Sequence, residues 1–312
     1  SVDNNKHTGN GRFTKKMMRT MSLFESGESN GNVSLKKLTN NEFHPCMSDM
    51  SIKDYAYVIC RGGWPLSLTE DKDVALEQVF SYYEMLTSED IFSLNDIPLK
   101  KDEQRAKHLL RAYSRNISIA STDTTLKNDV MSFEDTFDNE TFYKYMNALR
   151  NLYVIEELEA WNPYLRSKTA IRTKPTRHFV DPSIATAALG LSPDSLFKDM
   201  TTFGLLFESL AVRDLRIYAD TLNAKVYKYR DSKKREADIV LQFRDGSWAL
   251  IEVKLGSDSD IEDAAKHLLT IASDIDTKKT GNLNFLMVIT KDKFAYRRED
   301  GVYVVPLGCL RN

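Results

Sequence analysis

Apolar positions recur at helical spacing through most of the chain and at strand spacing near its end. Val74, Ala75, Val79, Tyr82 and Tyr83 form an amphipathic stripe, and helices are expected from Ser51 to about Leu94, broken at Gly62-Gly63 and restarted at Trp64-Pro65. Leu109, Leu110 and Tyr113 mark a further helix, and Phe142, Tyr145, Met146, Leu149 and Leu152 share one face of a longer one from Asn139 to Tyr153. Short strands near Val154 to Trp161 and Ile171 to Val180 complete a pattern that looks like a winged helix. Asp181-Pro182 and Ser192-Pro193 are N-cap and first-turn signals for two bridging helices. Beyond Met200 the order is helix, strand (Lys225 to Tyr229), hairpin, helix (Ile261 to Asp274), strand (Asn284 to Thr290) and strand (Gly301 to Pro306). That order predicts a mixed sheet flanked by helices.

The hairpin carries chemistry. Ile239 to Phe243 and Ser247 to Ile251 flank Arg244-Asp245-Gly246. A two-residue Asp-Gly turn would set Asp238 across from Val253, on the face away from Glu252. A three-residue loop with Gly246 left-handed pairs Phe243 with Ser247, Asp238 with Glu252 and Glu236 with Lys254, and the position of the glycine favours it. Glu252 and Lys254, two apart on one strand, share a face. Two carboxylates facing across a sheet repel, and a hard cation such as Mg²⁺ or Mn²⁺ removes that penalty. Lys254 would then balance developing negative charge or orient the attacking water, an arrangement suited to phosphodiester hydrolysis. Glu208 joins the set as an acid among nearly all apolar neighbours in Phe203 to Val212. The alternative is a strand end whose charges simply meet solvent.

A length of 312 residues predicts about two domains. With 43 basic and 45 acidic residues the net charge is -2, so no global basic field steers the chain to nucleic acid and any such contact is local. The region from Asn162 to Val180 supplies one: Arg166, Lys168, Arg172, Lys174 and Arg177, with no acid. Lys144, Asn147, Arg150 and Asn151 add to it on the exposed face of the long helix, where a winged helix would meet DNA. Glu134, Asp135, Asp138, Glu140, Glu156, Glu157 and Glu159 surround that helix, and the competing reading is a wing packed on neighbouring domains. The cysteines Cys46, Cys60 and Cys309 lack metal-ligand spacing, and no apolar run reaches the ~18 residues that span a bilayer. A cytoplasmic protein without a membrane partner is expected. No G-x-x-x-x-G-K-[ST] loop occurs, so this chain alone is not expected to bind ATP in the Walker manner.

Phe203 to Leu215, Tyr229-Arg230, Glu236-Ala-Asp238 and Ile251-Glu-Val-Lys-Leu-Gly256 resemble the PD-(D/E)xK, or restriction-endonuclease-like, domain. The resemblance is closest to the version at the C-terminus of a bacterial and archaeal group of AAA+ ATPases. Arg61-Gly-Gly-Trp-Pro65, Leu158 to Pro163, Arg166-Ser-Lys168 and Val180 to Ala185 agree with that group, so the likeness covers nearly the whole chain. It implies a multidomain α+β and α/β protein, with the end of an ATPase core at residues 1–50, partly flexible and glycine- and serine-rich to residue 33. A helical lid (51–96), a winged helix (97–180), bridging helices (181–199) and a nuclease-like domain (200–312) would follow.

By position, Glu208 is similar to the helix acid, Asp238 to the metal-binding aspartate, and Glu252 with Lys254 to the ExK pair. Arg12 and Arg19 are candidates for an arginine that completes a neighbouring subunit's ATP site. The resemblance, and the start at Ser1, imply a piece of a longer protein that works with an ATPase core or homologous subunits. The Gln-x-x-x-Tyr of RecB-like nucleases is absent between Ala264 and Asp276. A DNA-associated binding or regulatory module with weak or no cleavage is therefore expected, the alternative being an active Mg²⁺-dependent nuclease.

Overall fold

The β-branched and aromatic residues of the last third build one sheet, and helices cover both of its faces. A computed structural model describes residues 16–94, 102–164 and 174–312. In chain order the elements are β1 (Val33–Ser34), α1 (Leu35–Thr39), β2 (Cys46–Met47), α2 (Ile52–Arg61), α3 (Lys72–Ser88), α4 (Glu103–Arg115), α5 (Asp123–Met131), α6 (Asn139–Asn151), α7 (Pro182–Leu189), α8 (Pro193–Leu196), α9 (Met200–Thr221), β3 (Ala224–Arg230), β4 (Glu236–Phe243), β5 (Trp248–Lys254), α10 (Asp258–Asp274), α11 (Thr277–Thr280), β6 (Leu283–Thr290), β7 (Phe294–Arg297), β8 (Tyr303–Pro306) and β9 (Leu310–Arg311).

The seven-stranded sheet runs β2-β7-β8-β6-β5-β4-β3. β5, β6 and β8 are mutually parallel neighbours and the other pairs are antiparallel, so the sheet is mixed. Ile239, Leu241, Ala249, Ile251, Met287 and Ile289 pack on Phe203, Phe207 and Leu210 of α9 in one core cluster. Val240, Trp248, Leu250 and Val288 pack on Ile261, Ala265 and Leu268 of α10 in another. Odd and even residues of β5 thus serve opposite layers, as strand geometry requires. β7 is a strand that the sequence pattern did not separate from the loop around it.

α4, α5 and α6 precede two extended segments that meet in single bridges, Ile155 with Phe179 and Leu158 with Thr176, while Ile117 bridges Arg177. Strands were expected there. Pro175 lacks the backbone donor that a continuous ladder needs. The same region reaches the sheet edge: Lys228 N donates to Glu159 O (2.9 Å) and Trp161 N to Lys228 O (2.6 Å).

Residues 16–33, expected to be loosely held, are instead tied down. Leu23 is fully buried and β1 pairs in parallel with β9. Thr20 Oγ1 donates to Asp181 Oδ2 (2.7 Å), Leu23 N to Asp214 Oδ2 (3.0 Å) and Ser29 Oγ to Leu310 O (2.6 Å). Polar groups hold this arm through side-chain hydrogen bonds, which hydrophobic periodicity does not register. Its anchor is a sealed network in which Arg213 bonds both Asp181 (3.1 Å) and Asp214 (2.7 Å). Asp181 also caps α7 by accepting from Ser183 N. Among the described residues no helix is long and apolar enough to cross a membrane.

Candidate active site

Gly246, at φ +88°, takes the left-handed position, Gly246 N donates to Phe243 O (3.0 Å) and Phe243 N to Ser247 O (2.9 Å). The β4–β5 register then runs from Gln242 with Trp248 to Ile239 with Ile251. This is the three-residue register. One step further Val253 N donates to Asp238 Oδ2 (2.9 Å), so the aspartate side chain takes over where the pairing of strand backbones ends.

On its other side β4 carries a bulge. Its pairing with β3 shifts between Tyr227 with Val240 and Tyr229 with Ala237, so Asp238 and Ile239 together face Lys228. An extra residue of this kind changes the alternation of side chains and re-aims them. Ala237 and Val240, three apart, consequently both pack in the α10 layer. The bulge brings Asp238 between Glu208, arriving from α9, and Glu252 on β5.

The distances make one cluster. Lys254 Nζ lies 2.8 Å from Glu252 Oε2 and 3.9 Å from Asp238 Oδ2. Glu252 is 4% exposed. Burial, and then the charge of Asp238, push the Glu252 carboxyl well above the usual carboxylate range. Glu208 is held well above that range for the same two reasons, with Lys228 opposing. Part of its side chain reaches solvent, but Oε1 is sealed and has no hydrogen-bond partner. Burial works against the Lys254 ammonium, yet Asp238 and Glu252 outweigh it and raise its pKa. Glu236, expected opposite Lys254, lies beyond the paired residues of β4 and β5; on the β3 side it pairs with Arg230 and carries ion pairs to Arg230 (3.2 Å) and Lys228 (3.4 Å).

Sequence reading missed Lys228. Its signal was phase: Tyr227 and Tyr229 share one face of β3, which leaves Lys228 on the other with Val226. An open cleft of about 390 Å³ meets the cluster, lined by Glu252, Lys254, Asp260, Asp263, Ala264 and His267. His267 Nε2 donates to Glu236 O (2.8 Å), so it braces α10 against β4 and is not free for catalysis.

Asp238 and Glu252 offer the hard oxygen donors that Mg²⁺ or Mn²⁺ prefers, and the unpartnered Glu208 Oε1 beside them is a third oxygen with nothing to bond. The donor chemistry fits such an ion. Among the described residues no three His, Cys, Asp or Glu side chains already stand as a ligand group, so a cation would be held by two carboxylates and by water.

The basic residues fare unevenly. Lys174 is exposed. Lys144 pairs with Glu140 (2.7 Å) and Arg150 with Glu157 (3.0 Å). Arg177 is 2% exposed, bonded to Glu157 and to Asp123 (2.6 Å), so it braces the fold and does not present a phosphate-binding surface. Arg19 is committed within the chain, to Glu156 and Asp220 at 2.6 Å each, which leaves no free guanidinium for a neighbouring subunit. Lys233 and Arg235, next to the site, are held by Asp274 and Asp231. Arg12, Arg166, Lys168 and Arg172 lie outside the described residues.

Two family profiles match the chain. One, described as "Domain of unknown function (DUF8612)", covers residues 52–195, and the other, "Domain of unknown function (DUF4143)", covers residues 203–310. No curated protein and no solved structure matches. Residues 196–202, from the end of α8 to the start of α9, lie between the two matches.

Proposed function

We propose that the chain is the DNA-associated C-terminal part of an AAA+ ATPase, whose restriction-endonuclease-like metal site serves binding or regulation and cuts DNA slowly or not at all by itself. The observation that carries this reading is the convergence of Asp238, Glu252, Lys254 and Glu208 at one sheet end. Asp238 and Glu252 would hold the cation. A bound Mg²⁺ supplies a Lewis acid for a phosphoryl oxygen and a more acidic water. Lys254, on the same side, would offset negative charge gathering on the phosphate.

Hydrolysis also needs the scissile phosphate held to a fraction of an ångström, and here the chain is poorly equipped. Asp260 and Asp263 face the cleft and repel a phosphate backbone, while Lys233 and Arg235 are tied to acids. The missing Gln-x-x-x-Tyr points the same way. One observation favours the active-enzyme alternative: an unpartnered carboxyl such as Glu208 is costly, and proteins retain such costs mainly at functional sites. For DNA contact, α4 to α6 with the bridged segments after them resemble a winged helix, and Lys174 is the basic residue described there as exposed without an ion pair.

An Mn²⁺-dependent assay on single- and double-stranded DNA, run beside Lys254→Ala and Asp238→Ala, tests the reading. Slow or absent cleavage is expected. Robust cutting abolished by both substitutions would establish the active nuclease instead.

A further inference from the structure

The acid cluster contains a second ammonium that the nuclease pattern does not assign. Lys228 lies on the edge strand β3 at the one point where β4 opposes it with two residues, Asp238 and Ile239. Its backbone is fixed on both sides, N to Glu159 O and O to Trp161 N, so the strand cannot slide away from the site. The side chain is only 12% exposed and Nζ stands 3.4 Å from Glu236 Oε2. A lysine buried to this degree requires charge compensation. Here the compensating charges include two acids of the site: Glu208 and Asp238, together with Glu236, act to keep it protonated against burial. Lys254 approaches the same carboxylates along β5.

Lys228 therefore acts on Glu208, Asp238 and Glu236 from behind, while Lys254 meets Glu252 and Asp238 at the cleft. A divalent cation on Asp238 meets two positive charges already drawing on that carboxylate, and like charges in a partly desolvated site repel strongly. Lys254 has an assigned place beside the phosphate. Lys228 sits behind the acids, between α9 and the bulge, and does not line the cleft.

We propose that Lys228 is an internal counter-ion that competes with a divalent cation for Asp238, with Glu208 beside it, and so sets how tightly the site takes Mg²⁺ or Mn²⁺. The inference rests on the metal-site reading above. It assigns weak cation affinity to one residue and distinguishes charge competition from structural support, because loss of a structural lysine would loosen the ligands and weaken binding whereas loss of a competitor strengthens it.

The test is titration calorimetry with MnCl₂ on the whole chain. Lys228→Met should bind Mn²⁺ about tenfold more tightly than the unsubstituted protein, since one opposing charge has gone, and Lys228→Arg should bind as the unsubstituted protein does. Equal or weaker binding by folded Lys228→Met would overturn the inference and leave the metal site standing. Absence of Mn²⁺ binding in every variant, Lys228→Met included, would overturn the metal site itself. Should Lys228→Met fail to fold, Glu208→Gln with and without Lys228→Gln makes the same comparison, and again the protein without the lysine must bind more tightly.

Discussion

Glu208→Met should make the protein more stable at neutral pH, although it removes a group from the proposed site. The Glu208 carboxyl has a sealed Oε1 without a partner. Burial and the neighbouring Asp238 push its pKa up in the folded chain. An unsatisfied buried polar atom costs about 1–3 kcal/mol. Met has a similar volume and no polar atom to satisfy, and Lys228 keeps Glu236 at 3.4 Å as a partner. A net gain of about 1–2 kcal/mol follows, at the low end because part of the side chain reaches solvent. With an unfolding entropy of roughly 2.1 cal/mol/K per residue over 312 residues, that is a rise in Tm of about 2–3 °C. The pH dependence carries the sign. A carboxyl whose folded pKa is raised binds its proton more tightly folded than unfolded, so stability falls as pH rises above the unfolded value near ~4.3. The gain from Glu208→Met should therefore be full at pH 7.5 and shrink toward pH 4.5. Calorimetric melts of both proteins at the two pH values decide it. A destabilised Met variant at pH 7.5, or a difference independent of pH, would refute the reasoning and show that the carboxylate is satisfied in the folded state.

Arg213→Met strands the buried Asp181 and Asp214 and should cost about 3–5 kcal/mol, read by denaturant unfolding. Gly246→Ala places a side chain at φ +88° and should cost about 1 kcal/mol by the same assay, with the cluster intact if the turn holds. Duplex binding, if the exposed Lys174 contacts phosphate as proposed, should weaken steeply with salt, and Lys174→Ala should reduce the slope by about one unit, measured by fluorescence anisotropy across salt. Arg177→Ala should lower the melting temperature, because that guanidinium holds Asp123 and Glu157.

The hairpin was legible because a single glycine position chooses between two registers, and each register predicts a different face for Asp238. The contribution of Lys228 was not. Strict alternation assigns every side chain of β3 and β4 to a layer, and a bulge at Asp238-Ile239 breaks the rule at the residues that matter. Arg177 misled for a different reason. The segment around it is basic and free of acids, but the carboxylates that neutralise it come from Asp123 and Glu157, remote in sequence. The arm from residue 16 was misread because its anchors are hydrogen bonds to Asp181, Asp214 and Leu310, contacts that leave no hydrophobic period.

The central claim is that Asp238 and Glu252 form a divalent-cation site. Calorimetric titration of the whole chain with MnCl₂, beside Asp238→Asn and Glu252→Gln, tests it most directly. Weak, saturable binding that both substitutions abolish is the predicted result. No binding by the unsubstituted protein, or binding that survives both substitutions, would contradict it.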